Sequence, residues 1–332
     1  MDLSVVFYGT GGSVPTARRA TACVLIRAGG SRILVDCGEG AQRQMMLSTG
    51  LVQVDEILIS HYHADHYLGL PGLLKTYDLM ERRAPLRIAG PPGLHGMFDA
   101  LRRIFGRIRY EVELVELNGG EALAHDEQGF ELRAFEVEHL VPANGYAFVE
   151  GERPGRFDTE VARALGVTDP RHFGRLQRGE PVPGAEGEVR PEQVMGEARQ
   201  GRKIVISGDT APSEMTRVAA HRAQLLVHDA TFSDEELARA AETGHSTARQ
   251  AAELASAAEV EMLALVHISS RYHVASVLEE ARDAFENVYA VRDFDLVEIP
   301  FPERGEPRLR VGGATEEQES PALEPAPAGE GD

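Results

Sequence analysis

Three histidines and one aspartate fall within six residues of the stretch Ile59-Ser60-His61-Tyr62-His63-Ala64-Asp65-His66-Tyr67-Leu68-Gly69. Neutral imidazole and carboxylate are the donors that zinc-like cations take, and a catalytic site keeps one coordination position open for water. In a loop, residues two apart can converge on one ion, which pairs His61 with His63. Asp65 and His66 then point differently and can reach a second ion nearby. Four donors are too few for two ions, so further histidine or aspartate is expected at the C-terminal ends of other strands. His139 closes FELRAFEVEH, Asp209 closes KIVISGD and His267 closes EMLALVH, and a strand end is where an α/β architecture exposes its ligands. A lone histidine at a strand end is more often capped or exposed than a ligand; the HxHxDH run after an apolar strand reverses that weighting. His95, His125, His172 and His221 have no such context and are expected at the surface. Asp36, in LVDCGEG, also ends a strand, where it either orients a ligand histidine or caps the following turn.

The elements that must carry these groups are readable from hydropathy. Short β-branched strands split by glycines are expected at 4–9, 21–27, 32–38 and 56–60, with Ala28-Gly29-Gly30-Ser31 as a hairpin turn. GAQRQMMLSTG and LPGLLKTYDLMER read as helices, and LRIAG, YEVELVEL, FELRAFEVEH and GYAFVE as strands. The rhythm resumes with strands at 203–209, 224–230 and 261–267, each followed by a helical stretch. Strands precede helices in both halves, which predicts two sheets between helix layers. The segment 151–201 interrupts this with Gly, Pro and Arg and a single short helical stretch, DTEVARALG. Inserts of that length are usually functional or disordered.

Composition bounds the reading. Of the 332 residues, 42% are hydrophobic, enough for a sizeable core. No run reaches the roughly 18 apolar residues of a membrane span, and MDLSVVFYGTGG lacks the basic start of a signal peptide. Cys23 and Cys37 both lie in expected strands, so two free core thiols in a reducing cytoplasm are expected. The net charge of −19 disfavours a polyanion partner except at local basic patches or a metal. Part of it resides in a tail, 313–332, whose Glu, Pro, Gly and Ala content predicts disorder. The expected organisation is a catalytic domain over 1–312, carrying the insert at about 151–201, and that acidic tail.

The order HYHADH, His139, SGD with Asp209, and His267 resembles the metallo-β-lactamase fold, an αββα sandwich holding two metals. The resemblance assigns His61, His63 and His139 to a first zinc, Asp65, His66 and His267 to a second, and Asp209 to a bridge between them. A bridging carboxylate, in place of cysteine, is associated with phosphodiesterase-like branches. GTGGSVPTARRATACVLI, GAQRQM, AGPPGL, ISGDTAPSE, HDATF, GHSTARQAA and VHISSRYH together resemble the ribonuclease Z family, from about Val5 to Phe301. That family trims the 3′ end of precursor tRNA. The resemblance implies two Zn2+ per subunit, with Mn2+ able to serve in vitro, and a homodimer in which one subunit's flexible arm grips the tRNA cleaved by the other.

These motifs also carry chemistry of their own. Thr247 and Gln250 form a capping box, which places His245 beside a positive helix N-terminus that favours phosphate. There it can protonate the leaving oxygen of the scissile bond, or merely pack at the helix entry. Asp229 of HDATF can orient His245, although the family commonly carries Glu there and Asp is one methylene shorter. Arg271 is either a phosphate clamp or a salt-bridge residue. Asp65 is a second catalytic candidate, orienting the attacking hydroxide. The insert occupies the place of the family's arm but lacks a GPLYG-like tip; DPRHFGRLQRG stands there, offering Arg171, Arg175 and Arg178 for RNA contact. RRIFGRIRY (102–110) is a second basic patch or a solvated helix end. The competing readings are a small-molecule phosphodiesterase or arylsulfatase-like hydrolase on the same fold, and a metal-free binding protein. The last requires broken ligand positions, whereas all seven are intact.

Overall fold

The computed structural model describes residues 2–312, so the expected acidic tail lies outside the described residues. The chain forms two compact units. The first comprises the chain up to Ala124, Leu132–Phe148 and the chain from Lys203; the second comprises His125–Glu131 and Val149–Arg202.

The strands begin with β1 Leu3–Gly9, β2 Cys23–Ala28, β3 Ser31–Val35, β4 Glu56–Leu58, β5 Leu86–Gly90 and β6 Val112–Glu116. Next come β7 Ala122–His125, β8 Phe130–Glu136, β9 Asn144–Glu150, β10 Lys203–Ile206 and β11 Leu225–Asp229. The last are β12 Leu263–Val266, β13 Val288–Ala290, β14 Leu296–Glu298 and β15 Arg308–Arg310. Eight form one sheet in the order β15-β14-β1-β2-β3-β4-β5-β6, and seven form another in the order β13-β12-β11-β10-β9-β8-β7. The Ala28/Ser31 hairpin joins β2 to β3, and Gly29 takes the φ of 56° that the turn requires.

Central strands such as LSVVFYG, LALV and LLVHD are buried almost throughout, as expected when both faces are covered. Helices α1 Ala41–Leu47 and α4 Leu94–Phe105 pack on the first sheet, and α3 Leu70–Leu79, which follows the short α2 Ala64–Tyr67, touches both. Leu34, Ile57, Leu73, Leu74, Tyr77 and Ile88 fill that layer at 0% exposure, each burial contributing about 1.5–3 kcal/mol. Helices α7 Glu214–Ala220, α9 Ala248–Ala257 and α10 Val274–Arg282 cover the second sheet. The two sheets meet where Tyr146 Oη donates to Ile59 O (2.7 Å) and Asn144 N–H to Ser60 O (2.9 Å). The architecture is the expected αββα sandwich.

The second unit has its own small core of Ala162, Val167, Leu176, Val182, Val189 and Val194. It contains α5 Thr159–Ala164 and also a helix the periodicity did not suggest, α6 Pro170–Gln177. The signal was local: the Asp169 side chain caps by accepting from Arg171 N, and Pro170 occupies the first helical position. Arg202 and Glu150, 1% and 9% exposed, form a buried ion pair in this unit: Nε meets Oε2 and Nη2 meets Oε1, both at 2.9 Å.

Candidate metal centre

The site gathers at the C-terminal ends of parallel strands. Val35 is in register with Leu58, and Leu58 with Ala89; in the other sheet Ile206 pairs with Val227 and Asp229 with Val266. Asp36, Ser60, His61, Asp209, Asp229 and His267 therefore leave their strands at neighbouring points. The stretch after His63 is not a loop but one helical turn, α2, with His63 preceding it. Consecutive helical residues project about 100° apart, which separates Asp65 from His66. Backbone bonds Cys37 N–H to His66 O and Gly69 N–H to Cys37 O, both 2.8 Å, tie this turn to the loop after β3. The approach is close enough that a Cβ on Gly38 would stand 2.3 Å from Asp65 O. Two residues of this cluster hold left-handed backbone, Asp36 (φ 59°) and His267 (φ 58°), conformations that non-glycine residues adopt at some cost.

The donor atoms of His61, His63, His139 and Asp209 lie within 4.8 Å of one another, as do those of Asp65, His66 and His267. Asp209 Oδ2 is 3.3 Å from the Nε2 atoms of both His66 and His267 and 3.8 Å from His61 Nε2. Asp65 Oδ2 is 3.3 Å from His267 Nε2 and 3.6 Å from His66 Nε2. Asp209 thus faces both groups, and all seven predicted ligands are brought together.

Ring tautomers test whether a cation fits. His66 Nδ1 meets Asp36 Oδ2 at 2.8 Å, His139 Nδ1 meets Gly244 O at 2.8 Å, His61 Nδ1 meets Ser60 Oγ at 3.1 Å and His267 Nδ1 meets Thr231 Oγ1 at 2.7 Å. Each partner can accept an Nδ1–H, leaving the Nε2 lone pair pointing inward. His63 instead turns Nδ1 inward, 2.9 Å from His61 Nε2 and 3.3 Å from His139 Nε2. Inward lone pairs at such separations, beside two carboxylates, require positive charge between them. His66 Nε2 is buried without a hydrogen-bond partner, again as a ligand nitrogen would be. Burial and then the neighbouring His66 push His61 far below its ordinary pKa, so it stays neutral. Burial opposes protonation of His66, but Asp209 and Asp36 outweigh it and hold that ring well above its ordinary value; a cation at Nε2 meets the same attraction. The donor set suits a divalent metal.

Ser60 and Thr231 were not singled out from sequence. Ser60 N–H and Oγ donate to Asp36 at 2.7 and 2.9 Å, and Thr231 Oγ1 donates to Asp229 Oδ1 at 2.6 Å. Hydroxyls directly after strands that carry ligands were the available signal.

His245 stands between α8 Leu237–Thr243 and α9, whose Thr247/Gln250 capping box is present. Its Nδ1 is 2.8 Å from Asp229 Oδ2, so Asp at this position does reach. Its ring stacks on His267 at 5.3 Å and 13°. Burial lowers its pKa, but the Asp229 carboxylate and then Asp209 raise it to about 9.

The arginines fall elsewhere. Arg271 Nη1 contacts both oxygens of Glu236, at 2.9 and 3.0 Å, the salt-bridge alternative. Arg171 pairs with Asp169 (2.9 Å), and Arg175 and Arg178 pair with Glu180 (2.9 and 3.5 Å), all on exposed side chains of the second unit. In RRIFGRIRY, Arg109 Nε meets Asp78 Oδ1 at 3.0 Å. Of the four histidines expected at the surface, His95 and His221 are exposed, whereas His125 and His172 are half-buried, His125 stacked on Phe130 at 4.6 Å.

Comparison with known proteins agrees with this geometry. The family model of the metallo-beta-lactamase superfamily matches residues 16–267, which defines the class. Ribonuclease Z of Methanosarcina acetivorans is 45% identical over 303 residues, spanning 90% of this chain and 99% of that one. Ribonuclease Z of Halorubrum lacusprofundi is 45% identical over 312 residues, spanning 92% and 100%. The crystal structure of the short form of human tRNase Z is similar with a TM-score of 0.62 and 27% identity, covering 90% of this chain and 99% of that one. The chain belongs to the ribonuclease Z family.

Proposed function

We propose that the chain is a zinc-dependent endoribonuclease that removes the 3′ trailer from precursor tRNA, leaving a tRNA 3′-hydroxyl and a trailer 5′-phosphate. The observation that carries this reading is the seven-donor cluster, with the His245–Asp229 pair beside it, in a chain of the ribonuclease Z family. His61, His63 and His139 would hold one Zn2+ and Asp65, His66 and His267 a second, with Asp209 bridging; Mn2+ suits the same donors in vitro. When bound, the ions supply an activated water nucleophile at neutral pH and offset charge on the phosphate. Asp65 orients the attacking water, and Asp36 fixes the His66 tautomer. His245, held as an imidazolium by Asp229, donates its proton to the departing 3′-oxygen.

In this reading the second unit, with the insert at about 151–201, serves as the tRNA-binding arm of a catalytic domain over 1–312, in a cytoplasmic homodimer. Arg171, Arg175 and Arg178 would exchange Asp169 and Glu180 for backbone phosphates. No helix among the described residues is long and apolar enough to cross a membrane. Incubation with Zn2+ and a trailer-bearing precursor tRNA tests the proposal: cleavage after the discriminator nucleotide, abolished in His63→Ala, supports it. Turnover of bis(p-nitrophenyl) phosphate without tRNA cleavage favours the small-molecule hydrolase.

A further inference from the structure

We infer that Arg271, Glu236 and Phe232 are positioning residues for His245, holding the proton donor in line with the leaving oxygen; this rests on the role given to His245 above. Glu236 immediately precedes α8, and its carboxylate accepts from Arg271 Nη1 at both oxygens (2.9 and 3.0 Å) and from the Tyr272 hydroxyl. At the other end of the helix, Gly244 turns left-handed at φ 68° and His245 N–H donates back to Ala240 O at 2.9 Å. A clamp on the residue that caps the start of this one short helix therefore sets where the histidine two residues past its end sits.

A second route runs through Phe232, which is 5% exposed. Its ring stands edge-on to His245, centroids 6.0 Å apart at 64°. The Arg271 and Arg239 guanidinium carbons lie 5.8 and 5.9 Å from the centroid of that same ring. The Phe232 backbone is tied to the His245 segment by Phe232 N–H to Ser246 O (3.3 Å) and Ala248 N–H to Phe232 O (3.1 Å). The imidazole is thus bounded by Asp229 at Nδ1, His267 by stacking and Phe232 at its edge. Arg271 and Glu236 are themselves 42% and 28% exposed, and a pair so placed adds little to stability. Its removal leaves the fold intact through other ties, among them Thr247 Oγ1 to Asp234 Oδ1 at 2.9 Å. What it changes is the aim of the proton donor, and small misplacements of a reacting group are costly in rate.

The test uses the dependence of proton donation on the leaving group. A sugar alkoxide needs a proton to depart; p-nitrophenolate does not. Arg271→Met and Phe232→Leu are expected to lower kcat on precursor tRNA about tenfold. KM, zinc content and turnover of bis(p-nitrophenyl) phosphate should stay near wild type. Arg271→Lys restores most of the rate, and combining Arg271→Met with Glu236→Gln is no worse than either alone, since both remove one clamp. Equal losses on both substrates, a raised KM with unchanged kcat, or no loss at all overturns the inference. His245→Ala is the control. If it lacks the leaving-group selectivity, the proton-donor role and this inference fall together; if only the Arg271 and Phe232 variants lack it, this inference falls alone.

Discussion

Asp229 Oδ2 lies 2.8 Å from His245 Nδ1, while Oδ1 of the same carboxylate accepts from the Thr231 hydroxyl that meets His267 Nδ1 at 2.7 Å. One buried carboxylate therefore supports both His245, the proposed proton donor, and His267, a proposed metal ligand. Against burial, Asp229 raises His245 to about 9. A group raised in this way is protonated below that value and loses its proton as pH rises through it. Asp229→Asn removes the raising charge, so the alkaline limb of kcat on precursor tRNA moves to lower pH. A pH–rate profile of the two proteins checks this; an unmoved limb contradicts the pairing.

Withdrawal of metal removes the charge that the converging nitrogens and carboxylates require. Ions that bind only the folded state stabilise it by about 2.7 kcal/mol at a hundredfold excess over Kd. Exhaustive chelation should lower Tm and abolish RNA cleavage, and two equivalents of Zn2+ per chain should restore both. Calorimetry on apo and reloaded protein measures it; an unchanged Tm counts against a built metal centre.

In the proposed two-zinc centre Asp36 would act through His66, whose Nδ1 lies 2.8 Å away. Such outer carboxylates are worth about 10–100-fold in metal affinity, and Asn is also tolerated at the left-handed φ of 59° that Asp36 adopts. Asp36→Asn should weaken one of two zinc equivalents in a chelator competition titration and spare the other. Equal weakening of both, or of neither, contradicts the link to His66.

Much of this centre was legible because chemistry and position coincided. Three histidines and an aspartate in six residues have few structural uses, and His139, Asp209 and His267 each follow an apolar strand. What stayed hidden was set by three-dimensional proximity. Nothing local says that His63 presents Nδ1 where its neighbours present Nε2, because ring orientation depends on partners from other elements, such as Asp36 at His66 and Gly244 at His139. Thr231 reaches His267 only through parallel strand register. Arg271 was undecided from sequence because Glu236, thirty-five positions away, is its partner. The helix Pro170–Gln177 was missed since its cap was masked by surrounding Gly and Arg. The second unit also takes in His125–Glu131, which no linear boundary marks.

The buried Glu150–Arg202 pair bears on the second unit. Burial raises Glu150, but Arg202 outweighs it and holds the carboxyl below its ordinary value. Removing one partner of a buried pair typically costs about 3–5 kcal/mol. Arg202→Met should therefore expose the insert to limited proteolysis between Gly151 and Gly201 and weaken cleavage of precursor tRNA, with bis(p-nitrophenyl) phosphate turnover retained. An unchanged proteolytic pattern sinks this prediction.

In the proposed function, seven donors and His245 serve phosphodiester cleavage at one position of precursor tRNA. The most direct measurement maps the RNA ends produced by the zinc-loaded protein and by His63→Ala on a trailer-bearing precursor tRNA. A single cut after the discriminator nucleotide, leaving a 3′-hydroxyl and a 5′-phosphate and absent in the variant, is the expected result. Intact precursor tRNA, from zinc-loaded protein that still turns over bis(p-nitrophenyl) phosphate, would contradict it.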